Sequence, residues 1–296
     1  MPETHSPITL QTLLALNPHT SALRSGALRS PFVNFAFADV KIANKAFKSL
    51  VREQKFDLGE LAIVTFLQAK AYGKPYVLMP AVAVARGQHH TIFFNPERGH
   101  LNPGDLNGRK VGVRAYTQTT GTWVRGFLQD DYGVDFRTIQ WLTFEDPHVA
   151  EYTDPPWVRR APESKQLLQM LLDGEIDAAI FGSENPEGTP LKPLIPDAAE
   201  AAALWAGKHG GVPINHMMVI RESITRDRTD VVREVYRLLK ESTAAGPSKG
   251  MGALRFGVEA VRKSLETIIQ YAESQCLIPR RFSVDELFDD VTRSLD

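Results

Sequence analysis

The sequence predicts a two-lobed α/β protein, and three features predict it. Short apolar runs alternate with stretches of helical spacing along most of the chain, the order in which strands and helices succeed one another in α/β folds. A turn-rich break, Asn95-Pro-Glu-Arg-Gly followed by Asn102-Pro-Gly-Asp-Leu-Asn-Gly, separates a first series of such elements from a second. An extended run from Val212 to Ile220 then precedes a largely helical remainder. The expected arrangement is a discontinuous first lobe, residues 1–95 and 215–296, with a second lobe, 96–214, inserted into it. Extended segments near 90–95 and 212–220 become two crossing hinge strands, and a hinge of two segments places a central cleft between the lobes.

Each element has its own reason. Ile8 to Leu16 reads as a strand ending in the turn Asn17-Pro18-His19, and Thr20 to Leu28 as a short helix closed near Gly26. Phe32 to Ala38 reads as a second strand. Ala43 to Gln54 has helical spacing, with Ala43, Phe47, Leu50 and Val51 on one face. Phe56-Asp57-Leu58-Gly59 is a short strand and turn, followed by a helix from about Glu60 to Tyr72. Tyr76 to Val84 is apolar and branched, as in a buried strand, and His90 to Phe94 is another. Beyond the break, Lys110-Val-Gly-Val opens a βα unit whose helix runs from about Thr119 to Tyr132. Thr138 to Phe144 is a strand, Glu163 to Asp173 a helix stopped by Gly174, and Ile176 to Phe181 a strand. Proline-rich surface separates these from the run at 212–220. Helices are expected at about Asp227 to Thr243, Ala253 to Glu273 and Val284 to Leu295.

Composition narrows the function. Hydrophobic residues make up 43 % and charged residues 23 % of the 296 positions, enough for a sizeable core. Thirty-four Lys and Arg against thirty-five Asp and Glu give a net charge of −1, so no global field draws the chain to nucleic acid or to an anionic membrane. No run approaches the roughly 18 apolar residues of a membrane span. Cys276 is the only cysteine, which excludes an intrachain disulfide. Met1-Pro-Glu-Thr-His-Ser-Pro has neither a basic start nor an apolar core, and the expectation is a cytoplasmic protein. Neither a Gly-X-Gly-X-X-Gly nor a Walker sequence occurs, so no organic cofactor is expected.

Five stretches carry a family likeness: Phe56-Asp-Leu-Gly-Glu-Leu, Gly87-Gln-His-His-Thr-Ile-Phe-Phe, Asp105-Leu-Asn-Gly-Arg-Lys-Val-Gly-Val, Thr122-Trp-Val-Arg-Gly-Phe-Leu-Gln-Asp-Asp-Tyr-Gly-Val and Pro213-Ile-Asn-His-Met-Met-Val-Ile. Together they make the chain resemble the 4,5-dihydroxyphthalate decarboxylase family, a non-secreted branch of the type II periplasmic binding protein fold. The chain departs from the family at Asn215, where Met is more usual, and at His89-His90, where Arg-His is more usual. The resemblance implies a carboxy-lyase acting on a small hydroxylated aromatic carboxylate. The competing reading of the same fold is a non-catalytic solute-binding protein for a small carboxylate, because one fold serves both. A homodimer through the helical C-terminal third is the partner arrangement in view.

Removing CO2 from such a ring requires a seat for the carboxylate and a general acid within reach of the ring carbon. His216, on the second hinge segment, is the first choice as proton donor, since imidazole titrates near working pH. His89 and His90 stand at the other hinge segment, where strand alternation sends them to opposite faces; the resemblance favours His90. Glu60 is a carboxylate able to orient either histidine, to bond a substrate hydroxyl, or to stabilise the first turn of its own helix. Thr119 and Thr120 open a helix directly after a strand, where unsatisfied amides and the helix dipole suit an anion; they equally suit plain N-capping. Arg86, Arg125 and Arg24 are candidate carboxylate clamps, with a surface ion pair as the alternative for Arg125. Trp123 and Phe144 are candidate aromatic walls or core, and Glu145-Asp-Pro-His148 is a polar cluster after a strand. A divalent metal held by the histidines with Glu60 or Glu145 is the remaining alternative.

Overall fold

The computed structural model describes residues 6–182, 186–248 and 254–296. The chain divides into two compact units, Met1–Arg86 with Ile214–Glu266 and Phe282–Asp296, and Gly87–Pro213 with Thr267–Arg281. Residues 87–95, placed with the first lobe by the sequence, therefore fall in the second unit, as do residues 267–281.

The first unit begins with β1 (Ile8–Leu13), α1 (Ser21–Arg24) and β2 (Val33–Phe37). β2 lies parallel to β1 in the register Ile8↔Val33. A 3-10 turn at Ala43–Ala46 leads into α2 (Phe47–Arg52), then β3 (Leu58–Ala62), α3 (Ile63–Ala71) and β4 (Tyr76–Ala85). β3 joins the other edge of β1, with Thr12↔Leu58. Gly59 is required here: a Cβ would come within 2.7 Å of Leu50 on α2 and 3.3 Å of Leu13 on β1. The helix expected from about Glu60 starts at Ile63 instead, and Glu60 is the middle residue of β3. A strand flanked on both sides by partners gains a full ladder of hydrogen bonds, and this outweighs the helical spacing of the residues that follow.

The second unit opens with β5 (Ile92–Phe94), β6 (Lys110–Val113), α4 (Thr119–Tyr132), β7 (Gln140–Thr143) and β8 (Val158–Arg160). It continues with α5 (Leu167–Asp173), β9 (Ala178–Ile180), β10 (Lys192–Pro193) and α6 (Ala198–His209). Its sheet has the order β10-β5-β9-β6-β7-β8, with β9, β6, β7 and β8 mutually parallel. The strand expected from His90 starts at Ile92; His89–Thr91 form a 3-10 turn. Thr91 makes the turn, its amide and hydroxyl both donating to the Gln88 carbonyl at 3.0 and 2.7 Å. α4 and α5 both stop at left-handed glycines, Gly133 (φ 67°) and Gly174 (φ 75°), as helix C-termini commonly do.

The chain returns to the first unit with β11 (Ile214–Arg221), α7 (Glu222–Asp227) and α8 (Thr229–Ala245), followed by α9 (Val258–Ser274) and α10 (Asp290–Arg293). Of the helix expected from Ala253, that residue itself lies outside the described residues. α9 contributes its first part to the first unit and residues from Thr267 to the second. The helix expected over 284–295 is shorter, because Asp289 forms a capping box with Thr292 and starts a new turn there. β11 inserts antiparallel between β3 and β4, completing the order β2-β1-β3-β11-β4. Leu10, Leu58, Val77, Met79, Met218 and Ile220 form one core with Val231, Val235 and Leu238 of α8.

Candidate functional site

In the first unit β1 leads through α1 to β2 on one side, while β3 lies on the other side of β1. The order therefore reverses between β1 and β3, and in open α/β sheets ligands bind in the crevice outside the carboxyl ends at such a reversal. Glu60 is the middle residue of β3, one of the two strands at that reversal, its carboxylate buried at 3 % exposure. Its Oε2 accepts the amide of Ala15, just beyond β1, at 3.3 Å.

Glu60 also meets His216. β11 runs antiparallel to β3 with Met218↔Glu60 and His216↔Ala62, so the two side chains are diagonal neighbours on one face of the sheet. His216 Nδ1 lies 3.4 Å from Glu60 Oε1, a charge-pair distance without hydrogen-bond alignment. The ring stands edge-on to Phe47, centroids 5.2 Å apart, and keeps 21 % exposure. The β11–β4 ladder is irregular on both sides of His216, as strands often are where a side chain is re-aimed. A third irregularity, between Met217 and Val219, falls at Pro80, which cannot donate to the ladder.

Two candidate cations belong to the same unit. Arg24, at the end of α1, donates from Nη1 to the Leu14 carbonyl at the exit of β1 and stacks its guanidinium over Phe37 at 4.9 Å. Arg86 follows β4 at the end where Ala85 pairs with Ile214, and burial lowers its pKa.

His90, Thr119, Thr120 and Arg125 belong to the second unit. Thr119 and Thr120 occupy the first turn of α4, as expected, and both are buried. The Thr120 hydroxyl donates to Gln88 Oε1 at 3.2 Å. Gln88 is itself fully buried, and nothing in its local sequence marks it for this part. Because 89–91 form a turn, the alternation expected of a strand does not apply. His89 is buried against Phe127, rings stacked at 3.9 Å, and its pKa is pushed down to about 4 by burial. His90 is half-buried.

Arg125 lies wholly inside the second unit at 0 % exposure, so it is neither a surface ion pair nor a solvent-facing clamp. Nε donates to Gln275 Oε1 at 2.7 Å and Nη2 to the Tyr116 carbonyl at 2.7 Å, while the guanidinium stacks over Tyr116 at 4.0 Å. Gln275 in turn donates to the Thr122 carbonyl at 3.0 Å. A Cβ on the next residue, Gly126, would fall 2.1 Å from the Tyr271 ring. The Trp-Val-Arg-Gly motif is thus the seam that holds residues 267–281 against α4, and Arg125 secures the β6–α4 loop from within. Trp123 is core as well, edge-on to Trp205 and Tyr271. Among the described residues, no group of three or more His, Cys, Asp or Glu side chains is placed to hold a metal ion. Among the described residues, no helix is long and apolar enough to cross a membrane.

No family model matches the chain. It is similar to the 4,5-dihydroxyphthalate decarboxylase of Comamonas testosteroni, 33 % identical over 186 residues that cover 58 % of this chain and 56 % of the relative. It is similar also to that of Pseudomonas putida, 30 % identical over 167 residues, covering 52 % and 64 %. The matched segments span between about half and two thirds of these curated relatives, which agree with the resemblance carried by the five motifs. Among solved structures, the alkanesulfonate-binding protein SsuA from Xanthomonas axonopodis pv. citri, bound to MOPS, superposes with a TM-score of 0.58 at 13 % identity, covering 96 % of this chain and 99 % of that one. The periplasmic aliphatic sulphonate binding protein SsuA from Escherichia coli gives 0.55 at 14 % identity, covering 96 % and 98 %. The fold is that of the periplasmic binding proteins, as the element order led us to expect.

Proposed function

We propose that the chain is a non-oxidative decarboxylase of a hydroxylated, phthalate-like aromatic acid, with His216 as proton donor and Glu60 as its partner. The observation that carries this reading is the Glu60–His216 pair, 3.4 Å apart on one face of the β3–β11 pairing. The Glu60 carboxylate lies on the Nδ1 side of the ring and leaves Nε2 as the atom that delivers the proton. In 4,5-dihydroxyphthalate, the substrate named for the two relatives, each carboxyl-bearing carbon is para to a hydroxyl. Transfer of the Nε2 proton to that carbon forms a C–H bond, and the para oxygen takes up the electron deficit. The C–CO2 bond then breaks, its electron pair restores the aromatic ring, and His216 is reprotonated from solvent. Arg24 and Arg86 are the cations of this unit suited to a carboxylate, and the Thr119–Thr120 turn of α4 is the corresponding seat in the second unit.

Likeness of fold to sulfonate-binding proteins favours a second reading, a receptor that binds an acid without reaction. CO2 release from 4,5-dihydroxyphthalate and a panel of hydroxybenzoates separates the two, using wild type and His216→Ala with and without a chelator. Turnover in wild type, lost in His216→Ala with binding retained, supports the decarboxylase. Binding without CO2 from any acid overturns it in favour of the receptor. Chelator-sensitive turnover brings in the metal alternative.

A further inference from the structure

The second unit carries a groove of about 520 Å³ at the amino ends of β6, β7 and β8, which the Glu60–His216 chemistry does not use. Register builds it. Lys110 stands opposite Gln140, Gly112 opposite Leu142, and Leu142 opposite Arg159; residues two apart share a face, so all five lie on one side of the sheet. α5 covers the β6 part of that side, where Leu167 and Ile176 close over Gly112: a Cβ there would fall 2.4 and 2.8 Å from them. The β7 and β8 part stays open, and Gln140 and Arg159 are exposed on it.

The floor is apolar and the rim is cationic. Leu142, half-buried, lines the floor with Met170 of α5, against whose cluster it packs. Trp157, just before β8, adds a ring of fixed orientation, because its indole N–H donates to the Tyr116 hydroxyl at 3.0 Å. A methionine sulfur and an indole together suit a flat aromatic body. The rim cations are Lys110, Arg137 and Arg159. Arg137 is already held by both oxygens of Asp135, at 2.9 and 3.1 Å. Glu175, the acid of the groove, is paired with Lys165 at 2.6 Å. Asp177, beside the start of β6, is taken by the Arg109 guanidinium and by the Lys110 amide. Among the described residues, Lys110 and Arg159 thus keep two positive charges that no ion pair offsets.

We propose that this groove binds a phosphate monoester on a flat aromatic body, a ligand of the mononucleotide type. A monoester phosphate carries roughly two negative charges at neutral pH, which matches the two uncompensated cations; a monocarboxylate would leave one of them unpaired. The ring lies against Trp157, Met170 and Leu142, and the phosphate accepts from Lys110 and Arg159. These two residues stand two strand spacings apart, roughly 10 Å across the sheet, and both side chains are long enough to reach one phosphate above β7. The proposal does not rest on the decarboxylase reading, because the ligand is selected by the groove's own walls.

The test is calorimetric titration of the full chain with adenosine 5′-monophosphate, comparing wild type, Lys110→Gln, Arg159→Gln, Lys45→Gln and His216→Ala. Lys110, Arg159 and Lys45 are exposed, so their substitutions leave the fold intact, as circular dichroism verifies. The expected result is one-site binding that weakens about tenfold or more in Lys110→Gln and in Arg159→Gln. It is unchanged in Lys45→Gln, which removes a cation of the first unit, and in His216→Ala. Adenosine and inorganic phosphate each bind more weakly than the monophosphate, since each keeps only half of the recognition. Absence of binding to wild type, or binding that both groove variants leave unchanged, overturns the proposal. Phthalate binding as tightly as the monophosphate also overturns it, since any dianion would then serve. Loss in His216→Ala alone overturns it as well, while the decarboxylase reading is judged separately by CO2 release.

Discussion

Arg24 and Glu60 grip the two sides of one peptide group. Arg24 donates to the Leu14 carbonyl, and the Ala15 amide of the same peptide donates to Glu60 Oε2 at 3.3 Å. Carbonyl and amide of a trans peptide point in opposite directions, so the exit of β1 is clamped between a cation from α1 and an acid from β3. The clamp fixes the Glu60 carboxylate with Oε1 toward His216, 3.4 Å away.

Glu60→Gln keeps an acceptor for the Ala15 amide but removes the charge beside His216. If the proposed decarboxylation is right, the expected outcome is a fall in kcat of about 10²-fold or more with little change in thermal stability. Glu60→Ala also leaves the Ala15 amide without its acceptor and costs a further 1–3 kcal/mol or so of stability. Steady-state kinetics with urea unfolding of both variants checks the two effects. An unchanged kcat in Glu60→Gln would show that the carboxylate has no special part in catalysis, and equal stability losses in the two variants would show that the Ala15 hydrogen bond is not what Glu60 contributes to stability.

Gln275→Leu removes the acceptor for Nε of the fully buried Arg125. A buried charged donor left without its partner costs roughly 1–3 kcal/mol. Urea unfolding should report that loss, and limited proteolysis should show faster cleavage within 267–281.

Gly126→Ala forces a methyl group into the Tyr271 ring, 2.1 Å from the Cβ position. Overpacking of this kind costs about 1–3 kcal/mol. Tyr271→Ala should recover most of that loss in the double variant, since the clash is with the ring. A double-mutant cycle with no coupling would contradict the seam.

His89 is buried and neutral, its pKa near 4 against an ordinary value of 6.5. The unfolded chain therefore binds a proton at this residue between those pH values while the folded chain does not, and stability falls as pH drops from about 6.5 to about 4. The loss attributable to His89 amounts to about 3 kcal/mol at most. His89→Phe, which keeps a ring against Phe127, should flatten this part of the pH–stability curve measured by urea unfolding.

The parts of this protein that the sequence determined by itself are the local ones. Apolar runs marked β1, β2, β4 and β6, and the glycine at 174 marked the end of α5, because periodicity and left-handed φ act within a few residues. Thr119 and Thr120 were legible as a helix start for the same reason. β8 and α6 were not, since the first is a three-residue edge and the second emerges from a segment whose prolines suggested only surface. The tertiary structure alone decided that Glu60 is a strand residue facing His216: the register of β11 on β3 pairs segments far apart in the chain, and nothing local encodes which residue stands opposite which. It decided likewise that Arg125 is interior, because a guanidinium is taken out of water only where Gln275 and the Tyr116 carbonyl, brought from distant segments, replace its hydration.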